Sequence, residues 1–211
     1  MQTPEERYIQ AHSTAQGEAL EWIEKQTNIR TNYPRMLSGA VQGRFLTMMA
    51  QISRARNILE IGTFTGYSAA CLAMGLTSPD GHVDTIEVND ELEDLIREGW
   101  SKAGVSDKIT LWIGNAINIL KELPGPFDLV FIDANKREYS EYYELMIDKI
   151  PSGGLIIADD VLWDGKPWQE PQPQDKQTQG IVAFNDKVAA DTRVEVVLLT
   201  ERHGLSLIRK K

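Results

Sequence analysis

Leu59-Glu60-Ile61-Gly62-Thr63-Phe64-Thr65-Gly66-Tyr67-Ser68 reads as a buried strand that runs into a glycine turn and then a helix. Glycine lets the backbone come close to a ligand, and the first turn of a helix offers N–H groups without partners inside the helix. The two glycines are spaced G-x-x-x-G, so the G-x-G-x-x-G pattern of dinucleotide folds is not met. Glu87 closes the next apolar run about twenty residues on, where an acidic side chain can accept hydrogen bonds from both ribose hydroxyls. Turn and acid together point to a nucleoside ligand. They suit equally a tight turn followed by a surface glutamate.

Working outward, short apolar runs at 58–61, 83–88, 109–113, 129–132 and 155–158 alternate with amphipathic segments, the pattern of repeated βα units. Their unbroken apolar content predicts parallel strands covered on both faces. Leu92, Leu95, Ile96 and Ala103 mark one helix face closed by Gly104; Tyr139, Tyr142, Tyr143, Met146, Ile147 and Ile150 mark another, stopped by Pro151. A helix is expected around 181–190. The last two runs, 194–199 and 205–208, are joined by a short polar turn containing Gly204 and must pair antiparallel. At the other end, Thr3-Pro4-Glu5-Glu6 forms a capping box, and Tyr8, His12, Ala15, Ala19 and Trp22 fall on one face of the helix that follows. A second helix is expected over 37–52. Residues 163–180, with Pro167, Pro171 and Pro173, read as an irregular loop of the length that is usually functional or disordered. The expected fold is α/β: one unit, in which 1–53 form a helical cover and 54–211 the binding core.

The 211 residues carry 22 basic and 31 acidic side chains, a formal charge of −9, which sets a nucleic-acid or anionic-membrane role at a disadvantage. Cys71 is the single cysteine, so there is no intramolecular disulfide and no cysteine-built zinc site. Residues 1–10 are polar, and no stretch reaches the ~20 apolar residues of a membrane span. A cytoplasmic protein with no membrane partner is expected.

Two further stretches carry candidate chemistry. Phe127-Asp128-Leu129-Val130-Phe131-Ile132-Asp133 and Leu155-Ile156-Ile157-Ala158-Asp159-Asp160 each end a buried strand in aspartate. Carboxyl ends of neighbouring strands line one crevice, so Asp133, Asp159 and Asp160 should converge, and an oxygen-preferring divalent cation would offset their repulsion. Mg²⁺ suits best; Ca²⁺ and Mn²⁺ are also admitted. Alternatively these aspartates cap turns and the following helix. Lys136, three residues after Asp133, could accept a proton if its pKa were depressed, or could be an ordinary solvated lysine. His12, His82 and His203 match no metal spacing, and His12 is expected to be packed. Cys71 reads as a small core residue, and Ser68 lacks the G-x-S-x-G nucleophile elbow. A nicotinamide oxidoreductase and a non-catalytic nucleoside-binding module are the rival classes.

Taken in order from about Arg35, the stretches 59–68, Ile86-Glu87, Gly114-Asn115-Ala116, 127–136 and Asp159-Asp160-Val161-Leu162-Trp163-Asp164-Gly165 resemble the cation-dependent class I O-methyltransferases, the group of caffeoyl-CoA and catechol O-methyltransferases and their bacterial relatives. The resemblance implies S-adenosylmethionine (SAM) as methyl donor, a Rossmann-like seven-stranded sheet ending in the antiparallel hairpin, and a homodimer. It implies that Glu60, Gly62, Thr63 and Ser68 hold the donor's amino-acid end, with Glu87 on the ribose, Ala116 against the adenine and Asp133 also at the cofactor. It further implies that Asp133, Asp159 and Asp160 bind the cation, that Lys136 is the general base, and that Met36 and Ser38 line the pocket. Trp163, beside the aspartates, is expected to wall in a flat ring. The family pattern has asparagine where this chain has Asp160, an exchange that keeps an oxygen ligand and adds a negative charge. The implied acceptor is a small ortho-dihydroxy aromatic; methylation of hydroxyuridine in tRNA is the alternative and would need a basic landing surface.

Overall fold

The computed structural model describes residues 3–170 and 172–211. Seven strands, β1 (Asn57–Ile61), β2 (His82–Glu87), β3 (Ile109–Ile113), β4 (Leu129–Ile132), β5 (Leu155–Asp159), β6 (Val194–Leu199) and β7 (Leu205–Lys210), form one sheet in the order β3-β2-β1-β4-β5-β7-β6. The first five are parallel, and β7 lies antiparallel between β5 and β6, as the short turn between the last two runs requires. The chain walks outward from β1 to β3 and then crosses back to β4, so a crevice opens between the carboxyl ends of β1 and β4, the place where such sheets bind ligands.

Among the described residues, eight α-helices cover the sheet: α1 (Pro4–Ala11), α2 (Glu18–Arg30), α3 (Gly39–Ser53), α4 (Tyr67–Gly75), α5 (Glu93–Ala103), α6 (Ala116–Glu122), α7 (Tyr139–Ile147) and α8 (Lys176–Ala190). Successive strand residues serve opposite faces. Ile58, Leu129 and Phe131 pack with Leu46, Cys71 and Trp100 beneath α2–α5, while Leu59, Ile61, Val130 and Ile132 pack with Leu120, Tyr143, Met146 and Phe184 beneath α6–α8. Burial on both faces is why these strands show no polar alternation. Among the described residues, no helix is long and apolar enough to cross a membrane.

Several expectations need correction. The single N-terminal helix is two, because Gly17 at φ 87° separates α1 from α2. The five-residue stripe therefore does not exist as one face, and His12 is exposed, stacked on Tyr8 with ring centroids 4.0 Å apart. The Glu6 side chain of the expected capping box lies outside the described residues, as does Pro171. The second helix starts at Gly39, after a 3-10 turn over Pro34–Met36. Residues 163–180 are only partly irregular: Trp163–Trp168 form a kinked 3-10 segment, and α8 begins at Lys176, where Asp175 caps it by accepting from the Thr178 N–H at 3.1 Å. The tyrosine-rich helix ends at Ile147, although Ile150 stays buried beyond it.

Phe184 of α8 stands edge-on to Tyr139 and Tyr143, with centroids 5.4 and 6.3 Å away, and is fully buried. Phe184→Ala should lower the unfolding free energy by about 3–5 kcal/mol with an unchanged slope in urea, since α8 cannot collapse onto the cavity without moving Tyr139. A loss below about 1 kcal/mol would mean that the site relaxes freely.

Candidate active site

The glycine turn that follows β1 lies against the turn that follows its parallel neighbour β4. Gly62 has φ 101°, and a Cβ there would lie 2.0 Å from the Asp133 carbonyl oxygen. The Gly62 and Thr63 N–H groups both donate to the Ile86 carbonyl, and the Asp133 N–H donates to the Ile61 carbonyl at 2.9 Å. Gly62, Thr63 and Asp133 are thereby locked together by backbone alone.

Beneath this turn Glu60 is completely buried. Thr85 donates to its Oε2, and Oε1 has no hydrogen-bond partner among the described residues. Burial pushes the carboxyl up to about 8; the Ser68 and Thr85 hydroxyls pull it down, and Asp133 and Glu87 push it further up. An enclosed, unsatisfied acid oxygen beside Ser68 fits a ligand's ammonium group. Glu87 is 8 % exposed, which removes the surface-glutamate alternative. Its Oε2 accepts from the Phe64 N–H at 2.7 Å and its Oε1 from the Asn89 N–H at 2.9 Å; burial nonetheless raises its pKa. Each oxygen retains a lone pair for a hydroxyl. Ala116 opens α6 and lines the same cavity as Glu87, Gly62 and Met36.

The second half of the cleft is acidic. Lys136 is 5 % exposed, so the solvated-surface alternative fails. Its Nζ sits 2.8 Å from Asp133 Oδ1 and 2.8 Å from Asp160 Oδ2, and donates to the Tyr139 hydroxyl at 2.7 Å. Burial favours the neutral amine, but Asp133, Tyr139 and Asp160 outweigh it, so the expected depressed pKa is corrected: it is held well above the ordinary lysine value. Tyr139, read from sequence as a core residue, donates to the Asp159 carbonyl at 3.0 Å and so ties the lysine to β5. Asp159 is 3 % exposed, and burial, then Asp133 and Asp160, push its carboxyl up to about 7. Asp160 has φ 59°, a backbone state that short residues such as Asp and Asn tolerate best.

The three aspartates line one cavity with Met36 and Trp163. Among the described residues, no three acidic, histidine or cysteine side chains stand as a group able to hold a metal ion as they are, and the Lys136 ammonium lies between two of the aspartates. The donor chemistry nevertheless fits a hard divalent cation, since three carboxylates bring hard oxygen donors to one cavity, which Arg35, Arg202 and His203 also line. Met36 and Asp133 line the cofactor-side and aspartate-side cavities alike, Ser38 lines the cofactor side, and Trp163 faces Lys136 with its ring centroid 5.9 Å from Nζ. Every residue expected at the site therefore borders or underlies one continuous cleft. The sequence reading missed Phe64, Tyr139, Gln42 and Arg202; only Gln42, a polar residue within an apolar helix face, carried a visible signal.

The O-methyltransferase family model matches residues 10–211. Caffeoyl-CoA O-methyltransferase 1 of Eucalyptus globulus is 36% identical over 185 residues, 83% of this chain and 75% of the relative. The catechol O-methyltransferase of Niastella koreensis is 36% identical over 162 residues, 75% of this chain and 72% of the relative. The O-methyltransferase of Bacillus cereus, solved in complex with SAH, superposes with a TM-score of 0.92 at 32% identity, covering 99% of this chain and 98% of that one. TomG of Streptomyces achromogenes, solved in complex with SAM, superposes at 0.90 with 30% identity over 100% of both chains.

The raised Glu60 pKa makes a pH prediction. A folded value of about 8 against an ordinary 4.5 means that this group's contribution to stability is full below 4.5 and is lost as pH rises toward 8. Urea unfolding across that window should show the wild-type midpoint falling more steeply than that of Glu60→Gln. Parallel profiles would show that Glu60 ionises normally.

Proposed function

Since the chain belongs to the O-methyltransferase family, we propose that it transfers the methyl group of SAM to one hydroxyl of a small ortho-dihydroxy aromatic, with a divalent cation at the aspartate cluster. That it is a SAM-dependent O-methyltransferase follows from the family match together with its SAM- and SAH-bound structural relatives. The observation that carries the finer reading is the junction at Met36 and Asp133, where a cavity reaching Glu87 and Ala116 meets a cavity lined by three aspartates.

Methyl transfer from a sulfonium is an in-line displacement, so the protein must align donor and acceptor and provide an ionised oxygen. Glu60 and Ser68 would hold the donor's amino-acid end, with Gly62 and Thr63 closing over it. Glu87 would accept from the ribose hydroxyls, and Ala116 would lie against the adenine. Asp133, Asp159 and Asp160 would hold the cation, which when bound supplies positive charge that favours the ionised form of two adjacent acceptor oxygens. Lys136 Nζ, placed beside Asp133 and Asp160, would receive the hydroxyl proton in its neutral form, which burial favours. Trp163 and Met36 would wall in the flat ring and exclude water.

Labelled-methyl transfer to catechols, caffeoyl-CoA and tRNA, with Mg²⁺ or with excess chelator, tests this reading. Transfer to ortho-dihydroxy aromatics, abolished by chelator and by Asp133→Ala, is expected, with Lys136→Ala lowering kcat by about 10²–10⁴. Full activity in chelator would contradict the cation, an unimpaired Lys136→Ala the base, and exclusive labelling of tRNA the acceptor.

A further inference from the structure

Asp159 is the most enclosed of the three clustered carboxylates, and both of its oxygens are engaged. Oδ1 accepts from the Asp160 N–H at 2.8 Å, and Oδ2 accepts from Gln42 Nε2 at 2.6 Å. Gln42 lies on the inner face of α3 and is fully buried. A buried amide can present either end to a neighbour, and here a third residue decides which. An Arg202 guanidinium N–H donates to Gln42 Oε1 at 3.0 Å and to the Ser38 carbonyl. A guanidinium has donors and no acceptor, so the amide oxygen must face it, and the amide NH₂ is left facing Asp159.

Arg202 is itself held in place. It sits in the turn between β6 and β7 with φ 46°. Two residues on, Gly204 has φ 93°, and a Cβ there would lie 2.4 Å from Leu162 Cγ. The Val161 N–H donates to the Gly204 carbonyl at 3.1 Å and the Leu162 N–H to the His203 carbonyl at 2.8 Å. The turn is thus stapled to the backbone just after Asp160. Parts of the chain 160 residues apart, α3 and the β6–β7 turn, meet at the Gln42 amide, whose other end holds the Asp159 carboxylate.

We infer that Gln42, oriented by Arg202, is a positioning residue for the cation site: it fixes the rotation of the Asp159 carboxylate so that its remaining lone pairs are presented to the shared cavity. The inference rests on the reading that the aspartate cluster holds a cation. A carboxylate held at one oxygen by a fixed donor loses its freedom to swing, and removing such a partner of a metal ligand weakens metal binding by about 10–100-fold.

Mn²⁺ titration calorimetry on the intact protein tests this, using wild type, Gln42→Met, Gln42→Glu, Arg202→Met and the Gln42→Met/Arg202→Met pair. Gln42→Met, which keeps length and removes the donor, should weaken Mn²⁺ by about 10–100-fold. Gln42→Glu keeps the Arg202 contact while losing the donor to Asp159, and should weaken Mn²⁺ even if Gln42→Met fails to fold. Arg202→Met should weaken it too, and the double variant should bind no more weakly than Gln42→Met, because the arginine acts through the amide. Lowered melting temperatures with Mn²⁺ affinity unchanged in the Gln42 variants would overturn the inference. Strictly additive losses would overturn the part assigned to Arg202. Wild-type protein that binds no Mn²⁺ would overturn both this inference and the cation reading, whereas a binding wild type with unaffected variants would overturn this inference alone.

Discussion

Three aspartates meet at the carboxyl ends of β4 and β5, and the Lys136 ammonium stands within hydrogen-bond reach of two of them. That imbalance organises the cleft. It holds Lys136 charged against the cost of burial, makes Asp159 a reluctant carboxylate, and draws in Tyr139 as the hydroxyl that links the lysine to the β5 backbone. The cluster is stable only because each oppositely placed dipole or charge is fixed by the scaffold; a lysine alone in such a place would lose its proton, and three unpaired carboxylates would gain theirs. Under the proposed function a divalent cation would satisfy these oxygens.

The cofactor half obeys a different constraint. Gly62 lets β1 and β4 approach so closely that their turns share hydrogen bonds, and the same approach buries Glu60 beneath them with one oxygen unsatisfied. Of the six non-glycine residues at positive φ among the described residues, Phe64, Asp160, Trp163, Asp164 and Arg202 line the cleft. Such backbone states persist where surrounding structure over-determines them, and their concentration here fits a site shaped for a ligand rather than for stability.

What was legible in sequence follows the same division. The central strands β1, β4 and β5 announced themselves because apolar residues on both faces leave a continuous run, whereas β2 carries Asp84 and Thr85 and the edge strand β3 exposes Trp112 and Ile113; the aspartates that end β4 and β5 had to share one end of the sheet. Glu60, Glu87 and Lys136 stood at readable positions, but their burial did not show: a glutamate after a strand looks alike whether solvent or a neighbouring turn covers it. The N-terminal cover was misread where Gly17 interrupts an otherwise helical spacing, and α8 was placed late because Asp175 acts as a cap inside a proline- and glutamine-rich stretch. Arg202 was out of reach for a plainer reason, and Gln42 showed only as a polar residue on an apolar helix face. Their role depends on contacts 117 and 160 residues away in sequence, which no local pattern encodes.

Under the proposed function, the carboxylates around Lys136 take a divalent cation. Crystals grown with Mn²⁺ and measured for its anomalous scattering test this. A peak bounded by Asp133, Asp159 and Asp160 is expected, with Lys136 Nζ displaced from one or both of its 2.8 Å carboxylate contacts. No peak at the cluster, with both ion pairs intact, would contradict it.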